Sequence, residues 1–280
     1  MGDFACSKRW TGPKILLHII AYGLATIFVV PVIYMIFTSL KPQGSAMGDL
    51  MDRFLPPFSF ENYAYIFENA PVIKWTMNSL TIAVIVPVLS LTMASLAAFA
   101  LSRIDFSYKK LAFWLILSGM MIPGEATIVS LYMVANSLGI LDSYAALILP
   151  GLAGPLGVLI MKQFFDGMPN ELVEAAKIDG CSLFRVWWNI FIPLSKPVLS
   201  TLMIFSFLGT WNDFLWPFLA IQSEDLFTLP IGIPFFMSSY NQDETLPMTV
   251  NAYASIPIII IFIIFQKYIV KGVTLSGIKG

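Results

Sequence analysis

Six long apolar stretches recur along the chain, separated by shorter segments that hold most of its charged residues. About 20 helical residues, rising 1.5 Å each, cover the roughly 30 Å hydrocarbon core of a bilayer, and only a helix satisfies every backbone group within one such segment. The pattern therefore predicts six membrane-spanning helices, over residues 15–40, 78–101, 111–135, 144–164, 198–221 and 252–269. Prolines inside four of these helices predict kinks: Pro31, Pro87, Pro123 and Pro217.

Composition agrees with an all-α integral membrane protein whose main partner is lipid. Of the 280 residues, 58% are hydrophobic and only 12% are charged, whereas about 25% of the residues in soluble domains are charged. No basic tract is interleaved with aromatic residues, so a nucleic-acid partner is not expected. Cys6 and Cys181 belong to no cluster with metal-ligand spacing, and no metal site is predicted.

The basic residues predict the orientation of the six helices, because lysine and arginine accumulate in cytoplasmic loops. With both termini placed in the cytoplasm, thirteen basic residues fall on the inner side and only three on the outer side. The inner set is Lys8, Arg9, Lys14, Arg103, Lys109, Lys110, Lys162, Lys177, Arg185, Lys196, Lys267, Lys271 and Lys279; the outer set is Lys41, Arg53 and Lys74.

Two predicted outer loops are long, at residues 41–77 and 222–251. The second loop contains acidic residues, among them Glu224 and Asp225, and no basic residue. Such a loop is either a solvated connector or a docking surface for a partner outside the cytoplasm. Both interpretations are open at the level of the sequence.

Between the fourth and fifth predicted spans, the cytoplasmic segment 165–196 has the pattern of two short helices. Pro169 and Asn170 favour a helix start, and Gly180 favours an end in a left-handed cap. Ser182 is suited to cap the second helix, and Pro193 is expected to stop it. The alternative is an amphipathic loop that lies on the membrane surface.

The same segment resembles the EAA signature of ABC importer permeases. The resemblance rests on Glu174-Ala175-Ala176, then Gly180 after three residues, and Ile190-Phe191-Ile192-Pro193 after nine more. Ile192 stands where the family pattern has leucine. In that family the loop forms a coupling helix that fits a cleft on a cytoplasmic ATPase subunit. The resemblance therefore implies that the loop residues of the signature serve ATPase coupling: Glu174, Ala175, Ala176, Gly180, Ile190 and Pro193.

Further segments resemble the carbohydrate branch of this family, in particular the G-type subunit of maltose permeases. They are 121–125 (MIPGE), 146–150 (ALILP), 211–217 (WNDFLWP), 228–232 (TLPIG) and 272–280 (GVTLSGIKG). The resemblance implies one permease domain of the type I ABC importer fold, in a prokaryotic inner membrane. It also implies a second permease subunit, two cytoplasmic ATPase subunits and an extracytoplasmic solute-binding protein.

The chain itself is not predicted to be an enzyme. It has no GxxxxGK[ST] phosphate loop, and no HExxH or GxSxG motif points to a catalytic residue. No cofactor is expected on this chain, and the resemblance assigns ATP and magnesium to the partner ATPase. The outer loop is expected to contact the binding protein through Glu224, Asp225, Tyr240 and Asn241.

Charged residues inside predicted spans are costly and mark candidate positions on a solute pathway. Glu125, Asn212 and Asp213 are candidates for lining the pathway; alternatively, the two acids lie near the outer interface and are hydrated. The predicted function is a permease subunit of an ATP-driven, binding-protein-dependent sugar or oligosaccharide importer. An ion-coupled secondary transporter is the alternative class, although it usually requires paired intramembrane carboxylates or unwound helices in corresponding halves.

Overall fold

A computed structural model describes residues 12–45, 51–237 and 243–277, and every regular element within these ranges is helical. The helices are α1 Gly12–Ser39, α2 Glu61–Asn69, α3 Val72–Arg103, α4 Lys109–Ser118, α5 Gly124–Ser137, α6 Tyr144–Ile148, α7 Pro155–Asp166, α8 Glu171–Ile178, α9 Leu183–Leu194, α10 Lys196–Trp211, α11 Leu215–Ala220, α12 Leu229–Gly232 and α13 Thr245–Gly277. Short 3₁₀ turns cover Asp52–Phe54, Pro150–Leu152, Glu224–Leu226 and Ile233–Phe236.

Within the described residues, three helical stretches are long and apolar enough to cross a membrane: Leu16–Ser39, Val72–Arg103 and Thr245–Gln266. Two bent pairs raise this number to five if each pair is one span. One pair joins Tyr144–Leu152 to α7 at 40°, and the other joins α9 to α10 at 80°. The first pair covers the predicted fourth span, 144–164, which is therefore a broken helix. In the second pair, α9 belongs to the segment 165–196 between two predicted spans.

The predicted third span, 111–135, consists of α4 and α5 with a non-helical segment at residues 119–123 between them. Pro123 ends this segment, and its missing N–H and fixed φ make it a poor continuation of α4. Likewise, Asn212, Asp213 and Phe214 separate α10 from α11 inside the predicted stretch 198–221. In both places the chain is interrupted by several residues rather than kinked at one proline.

The chain folds into two compact units. The first contains residues up to 69 and residues 236–253. In this unit Arg53 forms an ion pair with Glu244 at 2.9 Å, and the buried Asn62 side chain donates to the Ser39 carbonyl at 3.2 Å. These contacts order the segment that follows α1. The apolar side chains from Leu16 to Ile33 on α1 are exposed, as expected of a helix whose surroundings are lipid or another protein.

The second unit, residues 70–235 and 254–280, is built around α3, which packs most extensively against α7 and α10. Glycines permit the close approach of α7 and the preceding turn to α3. A Cβ atom on Gly151 would lie 2.7 Å from Val86 Cγ1, and one on Gly157 would lie 3.2 Å from the Ala94 Cβ atom. Small residues at such contacts are typical of helix packing in membranes.

Candidate functional site

The segment 165–196 folds as two helices, α8 and α9, joined by a tight turn. Gly180 has a φ of +74°, a conformation that is strained for residues with a Cβ atom. Its N–H donates to the Lys177 carbonyl at 3.0 Å, and the Cys181 N–H donates to the Ala176 carbonyl at 2.9 Å. This pair of bonds is a Schellman motif, so the left-handed cap predicted at Gly180 is confirmed.

Both ends of α9 agree with the sequence. Ser182 Oγ accepts a hydrogen bond from the Arg185 N–H, as an N-cap residue does. The helix ends at Leu194, one residue after the predicted stop at Pro193. Within α9, a wide π-helical turn at Trp187–Phe191 precedes the proline, and the sequence analysis did not predict this turn.

The helix α8 has one buried face and one exposed face. Val173 and Ala176 are buried in an apolar cluster with Phe99, Phe165 and Phe191. The opposite face exposes Glu171, Glu174, Ala175 and Ile178, and the Ile178 side chain is 87% exposed. The two alanines of the signature therefore differ in their environment: Ala176 packs inside the chain, whereas Ala175 faces outward.

A cavity of about 410 Å³ lies beside α8 and α9. Its lining includes Ala175 and Ala176 from α8, and Arg185 and Ile190 from α9. Pro193 is exposed at the far end of α9. Three of the six signature residues, Ala175, Ala176 and Ile190, therefore line one concave surface. The other three, Glu174, Gly180 and Pro193, are not among its lining residues.

Arg103 holds the beginning of this segment, and sequence reasoning missed it. From the sequence alone the residue counts only as a cytoplasmic positive charge. In the structure its guanidinium donates to the Met168 carbonyl at 2.6 Å, to the Phe165 carbonyl and to Asn170 Oδ1. These acceptors lie 62 to 67 residues further along the chain, so no local pattern reveals the contact.

The acidic segment that contains Glu224 and Asp225 is tied to the N-terminal end of α3. Asp225 forms an ion pair with Lys74 at 2.5 Å, and the Glu224 carbonyl accepts from Trp75 Nε1 at 3.1 Å. Asn78 Nδ2 donates to the Asp225 carbonyl at 2.9 Å. The Glu224 and Asp225 side chains are exposed on this ordered turn. The other two predicted contact residues, Tyr240 and Asn241, lie outside the described residues.

A carboxylate fixes the beginning of the same segment. Asp142 Oδ1 accepts hydrogen bonds from the Gln222 N–H at 3.0 Å and the Ser223 N–H at 2.9 Å, and its Oδ2 accepts from the Ser223 hydroxyl. The hydroxyl bond and the two backbone bonds hold the pKa of Asp142 below its ordinary value of 3.8. Because the pKa of Asp142 is lower in the folded state than in the unfolded state, its ionised carboxylate stabilises the fold. This stabilisation is fully present above pH 3.8 and is lost as the pH falls through the folded-state pKa.

Asp142→Asn is expected to accelerate hydrogen exchange at the amides of Gln222 and Ser223. At pH 7 the wild-type carboxylate is ionised and accepts both amides, whereas an asparagine amide has one neutral acceptor oxygen. Hydrogen–deuterium exchange of the purified protein at pH 7 measures the difference, with the exposed Asp105→Asn as the matched control. Equal exchange in Asp142→Asn and wild type would show that the carboxylate does not order this turn.

The three candidate pathway residues lie at two helix interruptions. Glu125 is exposed in the first turn of α5. Asn212 and Asp213 lie between α10 and α11, and Asn212 Nδ2 donates to the Leu208 carbonyl at 2.8 Å. No described contact joins Glu125 to the other two residues. At both interruptions, polar side chains and non-helical backbone groups lie between apolar helices. Such breaks are a feature of solute-facing segments in transporters.

Long apolar helices and broken helices with polar interruptions are features of the class of membrane transport proteins. The family described as "Binding-protein-dependent transport system inner membrane component" matches residues 60–275, and the chain belongs to this family. The match includes the whole of α8 and α9. The chain is therefore a permease component of an inner-membrane transport system, and the ion-coupled alternative is not favoured.

Named relatives extend the similarity over almost the whole chain. The arabinooligosaccharides transport system permease protein AraQ of Bacillus subtilis (strain 168) is 33% identical over 277 residues, which are 98% of this chain and 99% of AraQ. The maltodextrin transport system permease protein MdxG of the same strain is 30% identical over 272 residues, 95% of this chain and 96% of MdxG.

A solved structure has the same fold. It is the crystal structure of a bacterial ABC transporter involved in the import of the acidic polysaccharide alginate, with a TM-score of 0.79 at 22% identity. The similarity covers 92% of this chain and 98% of the matched chain. This similarity shows the fold, and the family match together with the named relatives confirms the resemblance to importer permeases that the sequence indicated.

Proposed function

We propose that this chain is one of two permease subunits of an ATP-driven importer that takes up a sugar or an oligosaccharide. The observation that carries the proposal is the exposed face of α8, held in place by the Gly180 turn, in a chain whose relatives along nearly its full length are named as sugar permeases. The sugar specificity is supported by these relatives, named for arabinooligosaccharides and maltodextrin.

The energy for transport is supplied through α8. Shifting a two-state equilibrium from 1:99 to 99:1 requires about 5.5 kcal/mol, and the sequence has no phosphate-binding loop to supply it. Two cytoplasmic ATPase subunits, which use ATP and magnesium, provide this free energy. The exposed Glu174 carboxylate pairs with a basic group of the ATPase, and the cavity beside Ala175 receives a side chain from it.

The chain crosses the membrane six times, with both termini in the cytoplasm. In this topology α4 and α5 form one interrupted crossing, and α10 and α11 form another. The 80° bend between α9 and α10 marks the point where the cytoplasmic loop turns into the membrane. The excess of basic residues on the inner side supports this orientation.

On the opposite side, the turn that contains Glu224 and Asp225 contacts an extracytoplasmic solute-binding protein. Its anchoring by Lys74, Trp75 and Asn78 presents both exposed side chains on a preformed surface, which reduces the entropy lost on binding. Within the membrane, Glu125, Asn212 and Asp213 line part of the path taken by the solute.

Purification from the native membrane tests the proposal. The chain is expected to co-purify with a second permease and an ATPase subunit. In proteoliposomes, a maltodextrin or an arabino-oligosaccharide together with its binding protein is expected to stimulate ATP hydrolysis and to accumulate inside. Uptake driven by a proton or sodium gradient without ATP would contradict the proposal and favour a secondary transporter.

A further inference from the structure

Arg103, at the last position of α3, contacts three parts of the segment 165–196, the coupling loop, at once. One terminal nitrogen of its guanidinium donates to Asn170 Oδ1, and the other donates to the carbonyls of Phe165 and Met168. The guanidinium also lies 5.3 Å from the centroid of the Phe191 ring, within range of a cation–π interaction. A single side chain thus joins α3 to the beginning of α8 and to the π-helical turn of α9.

At Asn170, the hydrogen bond with Arg103 takes the place of a capping hydrogen bond within α8. Asn170 occupies the N-cap position of α8, where an asparagine usually accepts a hydrogen bond from the backbone of its own helix. Here it makes no such capping bond and accepts from Arg103 instead. The start of α8 is therefore attached to α3 rather than stabilised within the loop alone.

Neighbouring residues reinforce the attachment. Ser102 donates to Asp166 Oδ1 at 2.7 Å, and Asp166 also pairs with Lys162 at 2.6 Å. One turn earlier on α3, the ring of Phe99 packs against that of Phe191 with a centroid distance of 4.9 Å. The last turn of α3 therefore holds the loop through both polar and apolar contacts.

We propose that Arg103 is a positioning residue that locks the coupling loop to the inner end of α3, so that the loop and this helix move as one body. The inference rests on the proposed function, because it makes α3 the element that receives the movement of α8. A guanidinium is required, since its planar set of donors reaches three acceptors that lie in different directions. A lysine in this position would keep the charge but not the geometry.

Paired spin labels test the lock in the assembled importer. Labels on Ile178→Cys and Tyr108→Cys, both at exposed positions, report the distance between α8 and the residues that follow α3. Native Cys6 and Cys181 are replaced by serine. With Arg103 present, one narrow distance distribution is expected without nucleotide and with ATP and vanadate. In Arg103→Lys and Arg103→Ala the distribution is expected to broaden. In the same two variants without labels, which keep Ile178 at the proposed ATPase contact, the number of maltodextrin or arabino-oligosaccharide molecules carried per ATP is expected to fall by about tenfold.

Lys110→Gln removes an exposed cation from the same side of the protein and is expected to behave as wild type. If Arg103→Ala does not assemble, Asn170→Ala removes only one of the three acceptors and is expected to broaden the distribution by less. An unchanged narrow distribution in Arg103→Lys and Asn170→Ala would overturn the lock, as would a distance that shifts with nucleotide in the wild type. Absence of a co-purifying ATPase would instead contradict the proposed function, and the distance in the permease alone would still decide whether Arg103 holds the loop.

Discussion

Gly180→Val is expected to stop solute uptake almost completely while the permease still inserts into the membrane. The φ of +74° at this position costs about 1–2 kcal/mol for a residue with a Cβ atom, and more for a β-branched one. The valine therefore shifts the turn towards another backbone conformation and breaks the two capping bonds. Because the angle between α8 and α9 depends on this turn, ATP hydrolysis is expected to become uncoupled from uptake.

The effect is one of backbone conformation and not of space, since an added Cβ atom at Gly180 would meet nothing within 4 Å. A series of substitutions separates the two causes. Asparagine tolerates the left-handed region, so Gly180→Asn is expected to retain most uptake, and Gly180→Ala is expected to lie between the asparagine and valine variants. Uptake and ATP hydrolysis are measured in the same proteoliposomes. Normal uptake by Gly180→Val would count heavily against a role of the loop in coupling.

Gly232→Ala is expected to lower the stability of the part of the second unit around Trp75, although it adds only one methyl group. A Cβ atom at this position would lie 2.1 Å from Trp75 Cε3, and the Trp75 side chain is fully buried. The indole also donates to the Glu224 carbonyl, so a displaced ring releases the acidic turn. Overpacking of this kind costs about 1–3 kcal/mol or more.

Thermal unfolding of the purified permease in detergent measures this loss, and the melting temperature is expected to fall by several degrees. Gly209→Ala is the matched control: it adds the same methyl group inside α10, where nothing lies within 4 Å. Binding-protein-stimulated ATP hydrolysis is expected to decrease in the Gly232 variant only. Equal melting temperatures for the two variants would show that Trp75 moves aside without cost.

The parts of the fold that depend on local physics were predictable from the sequence. The apolar windows around α1, α3 and α13 are dictated by the thickness of the bilayer, and the cap at Gly180 is dictated by the steric rules for a left-handed residue. The interruptions inside the other predicted spans were harder to predict from the sequence. Pro123 marks one of them, but how many residues leave the helix depends on tertiary packing.

Long-range contacts explain what sequence reasoning missed. Arg103 is one basic residue among many until its acceptors more than 60 residues away are placed beside it. The stop at Pro193 was predicted to within one residue, whereas the π-helical turn before it has no recognisable local signal. Gly232 ends one of the segments that resemble the family, but only the packing of Trp75 against it shows why a side chain is excluded.

Disulfide cross-linking between α8 and the ATPase subunit tests most directly the claim that this helix receives the work of ATP hydrolysis. In the importer with Cys6 and Cys181 replaced by serine, Ile178→Cys is paired with single cysteines placed along the cleft of the ATPase. Tyr108→Cys is an equally exposed control on the same predicted side. Cross-links are expected from position 178 and not from position 108, with a yield that changes between the nucleotide-free and vanadate-trapped states. If position 178 forms no cross-link in any nucleotide state, α8 is not the coupling element.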